Sequence, residues 1–206
     1  MTGRPRFAAI VIGASAGGFA AITAILSQLS ATFSMPVLLA QHLHVSDDAR
    51  FADDLARRIA MPVIEPVDKE PILPGRVYIA PANYHMLVER TGTIALSVDE
   101  RVRWSRPSID VLFESAAWVW TERLIGIILS GANDDGAEGL RVVKAAGGLA
   151  IAQHPSSAAY PAMPMAAIAA ARVETVLAPD AIGELLCELG GAKSRHVAGS
   201  GQREVV

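Results

Sequence analysis

Ser15 stands in Gly13-Ala14-Ser15-Ala16-Gly17-Gly18, directly after the apolar run Phe7-Ala8-Ala9-Ile10-Val11-Ile12 and before the helix-like stretch from Phe19 to Leu29. A hydroxyl on a strand-to-helix turn suits a nucleophile or a phosphate site, because flanking glycines let the backbone turn sharply and let a substrate come close. Gly13-x-Ser15-x-Gly17 also fits the nucleophile-elbow pattern. Small-residue patterns recur in a chain with 17 glycines, so a packing turn is the competing reading.

A neutral hydroxyl attacks poorly without a base beside it, and histidine is the usual base. The chain has His42, His44, His85, His154 and His196. His42 lies just past the apolar run Val37–Ala40, and His154 holds the equivalent place after Leu149–Ala152. Consecutive strand-helix-strand units usually set their strands side by side, which favours His42 as the neighbour of Ser15. The third group should be a carboxylate that orients the ring. Asp135, in Leu129-Ser130-Gly131-Ala132-Asn133-Asp134-Asp135-Gly136-Ala137, again follows a buried-type strand and precedes a helix. Capping of that helix by Asp134 or Asp135 is the alternative. Asp110, Glu114 and Asp99 read as solvated charges on helix or hairpin faces. Serine, histidine and aspartate thus each fall beyond a different strand, at the edge of an open sheet where ligands bind. Their order differs from the Ser, Asp, His order of the α/β-hydrolases, which disfavours ordinary lipases and esterases.

The elements that position these residues follow from hydrophobic patterning. Short apolar runs predict strands at Phe7–Ile12, Val37–Ala40, Val77–Ala80, Leu124–Leu129, Leu149–Ala152 and Thr175–Leu177. Longer periodic stretches predict helices at Phe19–Leu29, Asp48–Ile59, Ser108–Trp120, Ala137–Ala146, Met165–Ala171 and Ala181–Leu189. Alternation of the two predicts a doubly wound α/β fold, with a mainly parallel sheet covered by helices on both faces. Met86–Arg90 and Ile94–Val98, bracketing Thr91-Gly92-Thr93, predict an inserted antiparallel hairpin that forms one wall of a cleft. Residues 1–6 read as an amino-terminal extension, 7–189 as a single catalytic domain, and 190–206 as a loose tail.

With 206 residues, 51% hydrophobic and 19% charged, the chain suffices for one sizeable core. A net charge of −3 without a basic stripe argues against nucleic acid as a partner. The first apolar run is too short for a secretion signal or a membrane span, so cytoplasmic location without membrane insertion is expected. The lone Cys187 reads as core packing and suits a reducing compartment. A dinucleotide loop would need G-x-G-x-x-G and an acidic residue ending the second strand, and neither is present. His42-x-His44 with Asp47 and Asp48 lacks the spacing of a structural zinc site. Neither a cofactor nor a metal is expected.

Taken together, Ile12-Gly13-Ala14-Ser15-Ala16-Gly17-Gly18, Gln41-His42-Leu43, Tyr78-Ile79-Ala80-Pro81, Arg106-Pro107-Ser108-Ile109-Asp110-Val111-Leu112-Phe113 and Leu129-Ser130-Gly131 through Asp135-Gly136-Ala137-Gly139 resemble the catalytic domain of the chemotaxis protein-glutamate methylesterases, the CheB family. The resemblance spans about Phe7 to Leu189. It implies the triad Ser15, His42 and Asp135, with the backbone N–H of Ala132 holding the oxyanion and Ala16 beside it. It also implies hydrolysis of glutamate methyl esters on the cytoplasmic helices of chemoreceptors with release of methanol, and deamidation of receptor glutamines in some members. The family's usual form carries a phosphoacceptor receiver domain ahead of the esterase. Here six residues precede the first strand, so an esterase domain standing alone is expected, with a separate receiver protein as a regulatory partner. Two positions depart from the family pattern: Ala16 stands where threonine commonly follows the serine, and Asn133 where the loop commonly has glycine. Asparagine tolerates the left-handed geometry that a glycine supplies. The competing class is a noncatalytic module on a degenerate esterase fold that docks on a receptor or scaffold.

Overall fold

The computed structural model describes residues 6–43 and 49–190. In chain order its elements are β1 (Ala9–Ala14), α1 (Gly18–Leu26), β2 (Val37–Gln41), α2 (Arg50–Ala56), β3 (Val63–Ile64), β4 (Val77–Ile79), β5 (His85–Val88), β6 (Ile94–Ser97), α3 (Ile109–Trp120), β7 (Leu124–Ile128), α4 (Ala137–Ala145), β8 (Leu149–Gln153), α5 (Ala162–Ala171), β9 (Thr175–Leu177) and α6 (Pro179–Leu189). Seven strands pair in parallel in the order β3-β4-β2-β1-β7-β8-β9, which is the expected doubly wound sheet.

Why β1 is apolar at consecutive positions is visible in its two cores. Ile10, Ile12 and Ala14 pack on one face with Ile22 and Leu26 of α1, Leu55 of α2, and Ile182 and Leu186 of α6. Ala9 and Val11 pack on the other with Leu112 and Phe113 of α3, Leu140 and Val143 of α4, and Met163 and Ala167 of α5. A strand covered on both faces has no solvent side to mark with polar residues. Each large aliphatic side chain buried this way contributes about 1.5–3 kcal/mol, and Cys187 is one of the buried residues on the first face.

β5 and β6 form the expected antiparallel hairpin, with Val88 opposite Ile94 and Gly92 at φ +79° in the turn. Met86, Val88 and Ile94 bury against the α3 face of the sheet. Two helices begin earlier than predicted, each with a proline in its first turn. Pro164 lies in the first turn of α5 and Pro179 is the first residue of α6, positions whose N–H has no partner within a helix. β3, only two residues long, has no periodicity to betray it. The predicted start of the second helix at Asp48 lies outside the described residues, as do all of residues 1–6 but Arg6 and all of 190–206 but Gly190. Among the described residues no helix is long and apolar enough to cross a membrane.

Candidate active site

From β1 the chain moves outward to β2 on one side and later resumes with β7 on the other, so the sheet order reverses at β1. Crevices at the carboxyl ends of strands at such a reversal are where open α/β sheets bind ligands. Ala14 is in register with Gln41 of β2, and Gly13 with Ile128 of β7. Ser15, His42 and the loop after β7 therefore leave three adjacent strands at one level. His154 follows β8, two strands from β1, and is exposed, with its Nδ1 accepting the Ser156 N–H at 3.2 Å.

The turn carrying Ser15 is held from three sides. Its N–H donates to the Ser130 carbonyl at 2.9 Å, and its carbonyl accepts from Gly18 N–H and from Gln41 Nε2, both at 2.9 Å. Gln41 Nε2 also reaches the His42 carbonyl at 3.1 Å, while Ser130 Oγ donates to the Ala16 carbonyl at 2.8 Å. Gly17 adopts φ +72°, and a Cβ there would lie 2.7 Å from Ala159 Cβ and 2.9 Å from Ser130 Oγ. Ser15 itself has no positive φ, so the left-handed residue of the turn is Gly17 rather than the serine. Gln41 and Ser130, both buried, do this positioning and were not singled out from the sequence. The signal available for each was a polar residue closing an apolar strand.

His42 donates from Nε2 to Asp135 Oδ2 at 2.8 Å, or pairs with it as a cation. Asp135 is fully buried and does not cap α4, whose N-cap is Gly136 at φ +92°. Its carboxylate sits instead at the amino terminus of α3. Oδ2 also accepts Ile109 N–H at 2.8 Å, and Oδ1 accepts Asp110 N–H at 3.1 Å and Ser108 Oγ–H at 3.0 Å. Ser108 is the N-cap of that helix. A carboxylate facing the first N–H groups of a helix gains both hydrogen bonds and the favourable end of the helix dipole. Burial alone pushes the Asp135 carboxyl up, but the His42 donor and the two backbone N–H groups outweigh it and hold the group below the usual carboxylate value. Asn133 has no positive φ, so no left-handed geometry is asked of it; its Oδ1 accepts the Asp135 N–H at 3.3 Å.

Asp110 is not the solvated charge expected from its helical position. It is 5% exposed, with Oδ1 accepting Gly139 N–H at 2.7 Å and Oδ2 paired with Arg103 Nε at 3.0 Å. Burial, reinforced by the neighbouring Asp135 charge, raises its carboxyl against the pull of Gly139 N–H and Arg103. Arg103 also binds Asp134 at 2.5 Å, which accounts for that second aspartate of the loop. His85 is buried as a linker: its Nδ1 accepts Ser108 N–H at 3.1 Å and its Nε2 meets the Glu100 carbonyl at 3.0 Å. His44, Asp47, Asp48 and His196 lie outside the described residues.

Residues 10–186 match the family model for CheB methylesterase. A protein of Leptospira interrogans named protein-glutamate methylesterase/protein-glutamine glutaminase is 45% identical over 183 residues, covering 89% of this chain and 95% of its own. Pseudomonas aeruginosa protein-glutamate methylesterase/protein-glutamine glutaminase 3 is 38% identical over 180 residues, which are 87% of this chain and 54% of that one. The crystal structure of the Thermotoga maritima CheB methylesterase catalytic domain superposes with a TM-score of 0.85 at 30% identity, covering 89% of this chain and 98% of that domain. The chain belongs to the CheB methylesterase family, and with it to the ester hydrolases.

Proposed function

We propose that this chain hydrolyses glutamate methyl esters on the cytoplasmic helices of chemoreceptors by nucleophilic catalysis at Ser15, releasing methanol. The shared name of its relatives supports that substrate class and extends it to deamidation of glutamines. The observation that carries the reading is the His42–Asp135 pair, 2.8 Å apart and at the level where β1 delivers Ser15. With Nε2–H directed at Asp135, the neutral ring keeps its lone pair on Nδ1, and Nδ1 is the base for the Ser15 hydroxyl.

The Ser15 oxygen bonds to the ester carbonyl carbon while its proton passes to His42, and the carbonyl electrons move onto oxygen. The backbone N–H groups of Ala16 and Ala132, which have no acceptor among the described residues, serve that oxyanion. Collapse breaks the carbon–methoxy bond, His42 protonates the leaving oxygen, and methanol departs. Water then attacks the acyl-serine with His42 again as base, returning the serine and a glutamate carboxylate. A glutamine substrate follows the same course with ammonia as leaving group. Asp135 stays ionised throughout and stabilises the imidazolium. None of these steps draws on a cofactor or metal. A cytoplasmic setting and a separate receiver protein as regulator belong to the same proposal. Its test is methanol release from a panel of methylated receptor fragments. Wild-type protein should release methanol and Ser15→Ala should not; near-wild-type release by the variant would refute the scheme.

A further inference from the structure

The turn between the hairpin and α3 contains two side chains that neither the fold nor the catalytic scheme uses. Trp104 is 93% exposed. It is held at φ +65°, beside Arg103 at φ +48°, in backbone geometry that residues with a Cβ adopt reluctantly. The turn is nevertheless rigidly built. Val102 and Ser105 exchange backbone hydrogen bonds of 3.2 and 2.9 Å. Arg103 is tied to Asp110 and Asp134, and Arg106 to the Asn83 side chain and to the carbonyls of Val98 and Asp99. Strain and an indole left in water are maintained together, a combination that points to function rather than packing.

With His42, Leu43 and Pro107, Trp104 and Arg101 line a recess of about 100 Å³. Arg103 and Arg106 are committed to protein partners, whereas the exposed Arg101 has no ion-pair or hydrogen-bond partner among the described residues. The recess thus offers an aromatic wall and an uncommitted guanidinium next to the proposed base. A guanidinium matches a carboxylate in shape and charge.

We propose that this recess is a subsite for an acidic side chain of the substrate protein, in which Arg101 pairs with the carboxylate and Trp104 covers its methylenes. The inference rests on the reading of His42 as the base of a protein-ester hydrolase. Side chains three or four residues apart share one face of a helix, with about 5–6 Å between their Cβ atoms. The preferred ester therefore has an aspartate or glutamate three or four positions away.

The test uses helical peptides carrying one glutamate methyl ester, with glutamate, glutamine or lysine placed three or four residues to either side. For the peptide with the favoured acidic neighbour, Arg101→Ala should raise KM about fivefold, the scale of a partly exposed ion pair, and Trp104→Ala about tenfold, that of an aromatic anchor. In both, kcat should change less than twofold. Arg101→Glu should reverse the preference, with the lysine-neighbour peptide becoming the better substrate. Equal KM values across peptides and variants would overturn the subsite, as would a fall in kcat with KM unchanged, which would mark a structural role. Labelling of wild-type Ser15 by a phosphonate ester runs in parallel. Protein that neither labels nor releases methanol overturns the esterase reading beneath; protein that does both, with KM indifferent to neighbours, overturns the subsite alone.

Discussion

Replacing Asp135 by asparagine tests the proposed machinery with almost no change of shape. Four donors converge on this buried carboxylate: His42 Nε2 and Ile109 N–H on one oxygen, Ser108 Oγ–H and Asp110 N–H on the other. An amide has only one oxygen. With that oxygen facing His42 and Ile109, its NH₂ meets Ser108, whose hydroxyl can rotate to accept, and Asp110 N–H, which cannot. With the amide reversed, Ile109 N–H is stranded and His42 is pushed into the tautomer that protonates Nδ1. Either way about one buried donor is lost, roughly 1–3 kcal/mol, against about 5–15 kcal/mol for a typical domain. The protein should therefore fold. Catalysis should lose far more, because the imidazolium has no counter-charge in either orientation; comparable aspartate replacements in serine proteases cost about 10⁴ in kcat, or about 5.4 kcal/mol. Methanol release measures kcat and urea denaturation confirms the fold. A folded Asp135→Asn protein with kcat within tenfold of wild type would refute the reasoning.

Gly17→Ala should lower stability by roughly 1–3 kcal/mol, since the new Cβ meets both a left-handed φ of +72° and Ala159 at 2.7 Å; an unchanged urea midpoint would contradict this. Acid sensitivity should follow Asp135. Its folded-state carboxyl titrates below the ordinary value, so the stability it contributes is present above about pH 3.9 and is lost as pH falls through the folded value. Asp110 has the opposite sign: its raised carboxyl makes the fold lose stability as pH climbs from about 3.9 through that higher value. Urea midpoints from neutral pH down to about pH 2, below the ordinary carboxylate value, should show an acid limb in wild type that flattens in Asp135→Asn, and equal limbs would count against the assignment.

The strand-end positions were legible because a buried parallel strand reads as an unbroken apolar run, and the first polar residue after it marks the carboxyl edge of the sheet. Ser15, His42 and the loop of Asp135 were found that way, and the sheet order puts them on adjacent strands. What sequence could not expose was polarity buried by partners far along the chain. Asp110 looked solvated because its helical position faces outward by local pattern, yet it is sealed by Gly139 N–H from another helix and by Arg103. Asp135 reads from the sequence as the carboxylate behind the histidine, with a cap for the following helix as the alternative; what the sequence does not show is that its carboxylate faces the helix before it. Gln41 and Gln153 follow the same logic: each ends a strand and turns back to hold a loop, Gln41 through the Ser15 carbonyl and Gln153 through Ser130 N–H at 2.9 Å. The expected helices start at Met165 and Ala181, just past Pro164 and Pro179, whereas each proline lies within the first turn of its helix.

The site is organised around the buried anion as much as around the serine. An ionised carboxylate without solvent is costly unless several donors face it, and α3 supplies three of the four that Asp135 receives. That leaves one lone-pair direction for His42, so the anion also selects which imidazole nitrogen carries the proton. In the serine proteases the aspartate takes Nδ1–H and Nε2 faces the serine; here Asp135 takes Nε2. The difference follows from where the groups lie. His42 enters from the strand beside Ser15, and Asp135 from the strand on its far side, by way of a helix end. Chain order is free to differ from that of the hydrolases because the chemistry asks only that three strand ends lie level, with a fixed charge behind the base. Register between β1, β2 and β7 supplies the first condition and the amino terminus of α3 supplies the second.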